Sequence, residues 1–224
     1  MFERFLLPIT KSSLFLVLFL VTNSCSCIFQ SLPKLNRATS FSQEKGITLS
    51  MQAFTQQECV QFFKTDLIGK GYRPLLVRIE NKTFNTYTLS SSYFKSSLVG
   101  ELELVPIASI IKSLKFNTFL LTATALIISR TLYIPLVSAA LVSCVAMLNY
   151  NKAIASFLEK NGFDCASDLK IKPYHVIQKL IFFPESQFSS NFEVSFLSDE
   201  TKTLTTFDVD ILQYHPHVPH VTLA

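Results

Sequence analysis

Five cysteines, four histidines and sixteen acidic residues are the side chains able to do chemistry in this chain, and their spacing decides which can act together. Three histidines fall in His215-Pro216-His217-Val218-Pro219-His220. Two prolines favour an extended helix of about three residues per turn, which would set His217 and His220 on one side as a weak metal or pH-responsive patch. The nearest carboxylate is Asp210, so nothing preorganises a metal cage, and a mobile tail is the preferred reading; no metal site is expected. Cys59 and Cys165 could oxidise to one another in an exported chain or remain two separate buried thiols; Cys144 lies in apolar sequence. Asp199-Glu200 reads as a hairpin turn and Asp208 with Asp210 as the wet face of a strand. The chain lacks Gly-x-Ser-x-Gly, a Gly-rich phosphate loop and His-Glu-x-x-His. No catalytic residue, no cofactor and no enzymatic activity are expected. Asn81-Lys82-Thr83 fits a glycosylation acceptor, though turn chemistry explains it as well.

Composition sets the frame for those residues. Of 224 residues, 49% are apolar and 16% charged, against roughly a quarter charged in ordinary soluble domains, so one domain with additional oily segments is implied. The net charge of +4 is too small for an electrostatic reader of nucleic acid, and no nucleic-acid partner is expected. Arg4 and Lys11 precede the unbroken apolar run Leu14–Val21, and small polar residues follow, the order of a secretory signal. Eight apolar residues are too few to cross a bilayer, which takes about 20.

Val21-Thr22-Asn23-Ser24-Cys25-Ser26-Cys27 resembles a bacterial lipobox, in which a small residue precedes a cysteine that becomes diacylated. Cys25 is the first acceptor and Cys27, after Ser26, the competing one; Thr22 and Asn23 depart from the pattern. Two acyl chains on one cysteine would hold the protein on a membrane stably. The expected division is a signal peptide over 1–24 and a polar, patternless tether over 25–46.

After the tether, Ile47–Met51 alternates as a half-buried strand does. Thr55-Gln56-Gln57-Glu58 is a capping box opening a helix over 55–68, with Cys59, Phe62, Phe63 and Leu67 on one face and Gly69 and Gly71 as the stop. Leu75–Glu80 alternates, Asn81–Asn85 has turn composition and Thr86–Ser90 resumes as a strand, which predicts a hairpin. Val176–Phe183 is apolar, and Phe192, Val194 and Phe196, then Phe207, Val209 and Ile211, alternate around a turn at Asp199–Lys202. Strands at both ends of so short a chain most economically form one antiparallel sandwich: 47–105 as its first half and 161–213 as its second, with 214–224 a His/Pro tail.

Between the halves, 106–160 reads as a hydrophobic helical insert. Phe119–Leu148 is almost wholly apolar, interrupted by Arg130 and Pro135. Leu132–Tyr150 has the length to cross a bilayer, with Tyr133 and Tyr150 at its ends and Lys152 just outside. Arg130 would cost at least about 2.5–3.5 kcal/mol at a helix centre, so a hairpin with Arg130 near its bend, the turn helped by Pro135, places the guanidinium at the membrane surface. Phe119, Leu126, Arg130, Tyr133, Pro135, Leu141 and Leu148 mark this membrane insert. The alternative is a buried helical pair packed on the sandwich.

Leu67–Asn81, with Lys70-Gly71-Tyr72-Arg73-Pro74 at its centre, resembles a segment of a group of bacterial envelope lipoproteins, and Ile171-Lys172-Pro173-Tyr174 followed by Leu180–Pro184 resembles the segment that restarts their strands. The likeness covers roughly Ile47 to Ile211. It implies an immunoglobulin-like antiparallel β-sandwich carrying an inserted hydrophobic helical hairpin, a mainly β fold with helices; its motifs are structural and imply no activity. This insert is poorer in glycine than that pattern.

The expectation is an exported, membrane-associated structural or interaction protein of the bacterial cell envelope. Membrane lipid is its expected partner, with an envelope protein or a second copy of the chain as further ones. The alternative is a secreted effector-like protein whose hydrophobic hairpin inserts into a target membrane.

Overall fold

The structure, a computed structural model, describes residues 31–33, 40–44, 46–96, 100–115 and 134–211, with 40–44 and 134–145 described by backbone alone. By internal contacts the chain forms two compact units, one containing Leu32–Ser113 and the chain from Asn161 onward, the other containing Leu114–Lys160.

The first unit is mainly β. Strands β1 (Ser40–Glu44), β2 (Ile47–Ala53), β3 (Tyr72–Asn81) and β8 (Val176–Pro184) form one antiparallel sheet in the order β1-β2-β3-β8. The second sheet holds β4 (Tyr87–Leu89), β5 (Phe94–Ser96), β6 (Gly100–Glu101), β7 (Leu169–Ile171), β9 (Asn191–Ser198) and β10 (Leu204–Asp210). Within it β4 and β5 lie along β9 in a single row, broken by a 3-10 turn at Ser91–Tyr93; β4 also pairs β7, β5 also pairs β6, and β10 pairs β9.

Strands from before the apolar insert therefore pair with strands from after it in both sheets. β3 runs against β8 from Tyr72↔Pro184 to Glu80↔Val176, while β4 and β5 run against β9. The two sheets share one core: Leu49, Val77 and Phe183 from the first with Phe94, Val194 and Phe207 from the second. Phe94 and Phe183 meet edge to face at 5.8 Å, and Phe183 lies 5.7 Å from Phe192. Alternation is clean where one face is wet, as in β10, where Thr205, Phe207 and Val209 are buried and the residues between them exposed.

The first sheet is covered on both faces, so Leu75-Leu76-Val77 and Leu180–Phe183 are buried without alternation. Its outer face carries helix α1 (Gln56–Phe63), whose Phe63 lies 6.1 Å from Phe182 and 5.6 Å from Phe54. The capping box forms as its sequence requires: the Thr55 hydroxyl accepts from Glu58 N–H at 3.2 Å and the Glu58 carboxylate accepts from Thr55 N–H at 2.8 Å. Helix α2 (Ile107–Leu114) buries Ile107, Ile110 and Ile111, and Lys70 Nζ donates to the Ser113 carbonyl at 2.7 Å in its last turn. Helix α3 (Ile134–Asn161) is continuous over 28 residues.

Three expectations are corrected. The helix expected over 55–68 stops at Phe63, because Lys64 turns left-handed (φ 55°), ahead of both glycines. The tether expected over 25–46 contains a strand: Ser40–Glu44 pairs with Ile47–Met51, and Gly46 (φ 79°) serves the turn. β3 and β4 are not a hairpin, since they belong to different sheets and the turn between them is a corner. Pro135 is the second residue of α3, in the first turn where its missing N–H is harmless, and the bend expected near Arg130 lies outside the described residues.

As for the membrane span expected over Leu132–Tyr150, no helix among the described residues is long and apolar enough to cross a membrane. The described side chains of α3 begin at Ala146, and Asn149, Tyr150, Asn151 and Lys152 follow directly.

Candidate functional site

The chain leaves and rejoins the first sheet at one edge. Val105 N–H, just before α2, donates to the Phe182 carbonyl at 2.8 Å, and Phe163 N–H, just after α3, donates to the Leu180 carbonyl at 2.8 Å. Gly162 adds a parallel bridge to Leu180. The long apolar segment thus departs from and returns to carbonyls two residues apart on β8. Those bonds also cover part of an edge that would otherwise present unpaired backbone. Lys179 shares the face of Ile181 and Phe183 on the same strand, and burial pulls its ammonium below the usual lysine range. An inward cation on an edge strand discourages a foreign strand from adding there.

The corner beyond β3 is organised by one buried side chain. Asn81 is 1% exposed, and its amide Nδ2 donates to the carbonyls of Asn85 at 2.8 Å and Lys172 at 3.0 Å. Its Oδ1 accepts from Thr83 N–H at 2.9 Å and from the Thr83 hydroxyl at 2.8 Å, an Asx turn. Asn81 N–H donates to the His175 carbonyl at 3.0 Å, and Lys82 N–H to the Gly46 carbonyl at 2.8 Å. One asparagine therefore ties together the β3–β4 corner and the β7–β8 loop. Turn chemistry accounts for Asn81-Lys82-Thr83, and so buried an amide offers no acceptor for a glycan in the folded chain.

What this clamp holds outward is apolar. Phe84 is 83% exposed and Tyr174 59% exposed, and their rings meet edge to face at 5.2 Å. Val176, 51% exposed, follows two residues on. Tyr174 sits at φ 56°, a left-handed conformation rare for an aromatic residue, and His175 Nδ1 lies 2.8 Å from the Pro173 carbonyl. Lys82, Lys172 and His175, each within two residues of a ring in sequence, are exposed. Lys82 pairs with Glu80 at 3.7 Å, and nearby Lys170 approaches Asp199 at 4.0 Å. The result is a projecting aromatic corner with a partly neutralised basic rim.

Other reactive groups lie elsewhere in the β unit. Cys59 and Cys165 are both free thiols. Burial pushes the Cys59 thiol up to about 12, outweighing the lowering by nearby Arg73, and burial also raises Cys165. Arg73 grips Glu185 with two N–H groups, donates to the Phe54 carbonyl at 3.3 Å and stacks 5.3 Å over Phe188, which fixes the start of β3 to the end of β8. Glu193 and Asp208 stand opposite one another on the wet face of the second sheet, beside a shallow depression of about 290 Å³. Both are exposed, and Lys95 faces Glu193 from the other side. Among the described residues no group of His, Cys, Asp or Glu could hold a metal ion.

Of the residues singled out from sequence, Leu148 is exposed on α3 and Pro135 and Leu141 lie within that helix. Cys25, Cys27, Phe119, Leu126, Arg130 and Tyr133 lie outside the described residues, as do His215, His217 and His220. The aromatic corner went unnoticed in the sequence. Its signal was there: Phe84 and Tyr174 are large rings inside turn composition, where no strand or helix face is available to bury them.

No family model, no curated protein and no solved structure matches this chain.

Proposed function

We propose that this chain is an exported, membrane-associated structural or interaction protein of the bacterial cell envelope, attached by lipid at Cys25 or Cys27, by its apolar insert, or by both. The two sheets and their shared core are read as an immunoglobulin-like sandwich, and the segment between its halves as a hydrophobic helical hairpin. Its working parts are surfaces: membrane lipid is the partner, with an envelope protein or a second copy as further ones, and it performs no catalysis.

One observation carries this reading. Val105 and Phe163, on either side of the insert, both rest on carbonyls of β8, and strands from both sides pair in each sheet, which supports reading the segment between as an insertion into one β unit.

Mass analysis of the mature amino terminus and fractionation of a chain lacking Phe119–Leu148 test it together. An acylated Cys25 or Cys27, with membrane retention lost or weakened by the deletion, is expected. An unmodified amino terminus with secretion of the chain and insertion into added vesicles would support the effector reading. A chain that stays out of membranes in every form would overturn both.

A further inference from the structure

We infer that the Phe84–Tyr174 corner is a second, peripheral membrane contact: an aromatic wedge that enters the headgroup layer while Lys172, His175 and Lys82 meet lipid phosphates. Three of the six large apolar side chains exposed among the described residues gather here, Phe84, Tyr174 and Val176. Phe84 and Tyr174 project from turns and Val176 from the first position of β8, which suits a deformable interface. Tyrosine places its ring in the acyl boundary and its hydroxyl among headgroups. Exposed basic side chains lie within two residues of the rings in sequence and supply the charge complement that phosphates require. Lys82 offsets the charge of Glu80 at 3.7 Å, while the Glu200 carboxylate, bonded to Thr86 N–H at 2.8 Å, keeps its charge, so Lys172 is the cation on which the phosphate contact chiefly depends.

The Asn81 clamp gives the wedge its fixed shape. Both turns that carry the rings hang on that one buried amide, so little conformational freedom remains to be lost on contact. The inference deepens the membrane-attached reading, and the test separates failure of one from failure of the other.

The chain contains no tryptophan, so Phe84→Trp creates a single fluorescent reporter at an exposed position. The full chain carrying Phe84→Trp is floated with phosphatidylcholine vesicles, with and without phosphatidylglycerol, and quenched by lipids brominated at shallow acyl positions. A blue-shifted emission with strong shallow quenching, lost on adding Tyr174→Ala and Lys172→Glu to a chain of unchanged circular dichroism, is the expected result. Co-flotation with a water-like, unquenched emission would overturn the wedge and leave membrane attachment standing. Absence of co-flotation would overturn both. A blue shift that depends on protein concentration without lipid would assign the corner to self-association and overturn the lipid proposal.

Discussion

Asn81 shows how much one buried amide can organise. Both polar atoms of its side chain are engaged, and its closest partners, Thr83, Asn85 and Lys172, lie outside the strands. Replacing it with alanine removes the donor shared by part-buried carbonyls in two loops, so Asn81→Ala is expected to cost about 2–3 kcal/mol, read as a lower urea midpoint at unchanged slope. Cys59 offers a test of packing. A thiol pushed up to about 12 has almost no thiolate at pH 8, so iodoacetamide should label Cys59 only in unfolded chain; rapid labelling of native protein would show that α1 does not cover it. Asp66 supplies the pH test. Gly69 N–H, at 2.8 Å, and then Gln56 hold its carboxyl below the usual carboxylate range. A depressed pKa stabilises the folded state above the unfolded pKa and loses that contribution as pH falls through the folded value. Urea midpoints of the native chain and Asp66→Ala should therefore differ near neutrality and converge as the pH drops well below 4.

At the scale of elements, glycines separate two kinds of constraint. Gly46 (φ 79°) turns β1 into β2, and a Cβ there would sit 2.6 Å from Thr83 Cγ2. Gly71 (φ 85°) starts β3 with open space around it. Alanine at Gly71 should cost about 1–2 kcal/mol for the left-handed backbone alone, whereas Gly46→Ala adds a clash with the Asn81 corner and should cost clearly more in the same urea titration. Gly46 also marks where the sequence misled. Ser40–Glu44 has the polar composition of a tether, and what makes it a strand is the partner edge of β2, which no local pattern reports. The capping box at Thr55–Glu58 and the β9–β10 alternation were legible because they are local. The corner after Asn81 was not: its turn composition was clear, but whether a turn returns a strand to its own sheet or delivers it to another depends on contacts with residues near 172–175, some ninety positions away. The Phe84–Tyr174 pair was hidden for the same reason.

For the molecule as a whole, the chain order is interrupted and the β order is not. Strands upstream and downstream of 106–161 pair in both sheets, and the two connecting residues, Val105 and Phe163, rest on one strand. Such a fold needs contacts about a hundred residues apart before either sheet is complete, so it should fold slowly relative to helical proteins of this size. The most direct test is a cross-link through the β3–β8 register, where Arg78 lies opposite Gln178. In the full chain, Arg78→Cys with Gln178→Cys should oxidise to an intramolecular disulfide that holds the two halves together after cleavage within the insert, while Arg78→Cys with Ile177→Cys, slipped by one residue onto the opposite face, should not. Linkage at neither register, or only between separate chains, would contradict a β unit assembled from both sides of the insert.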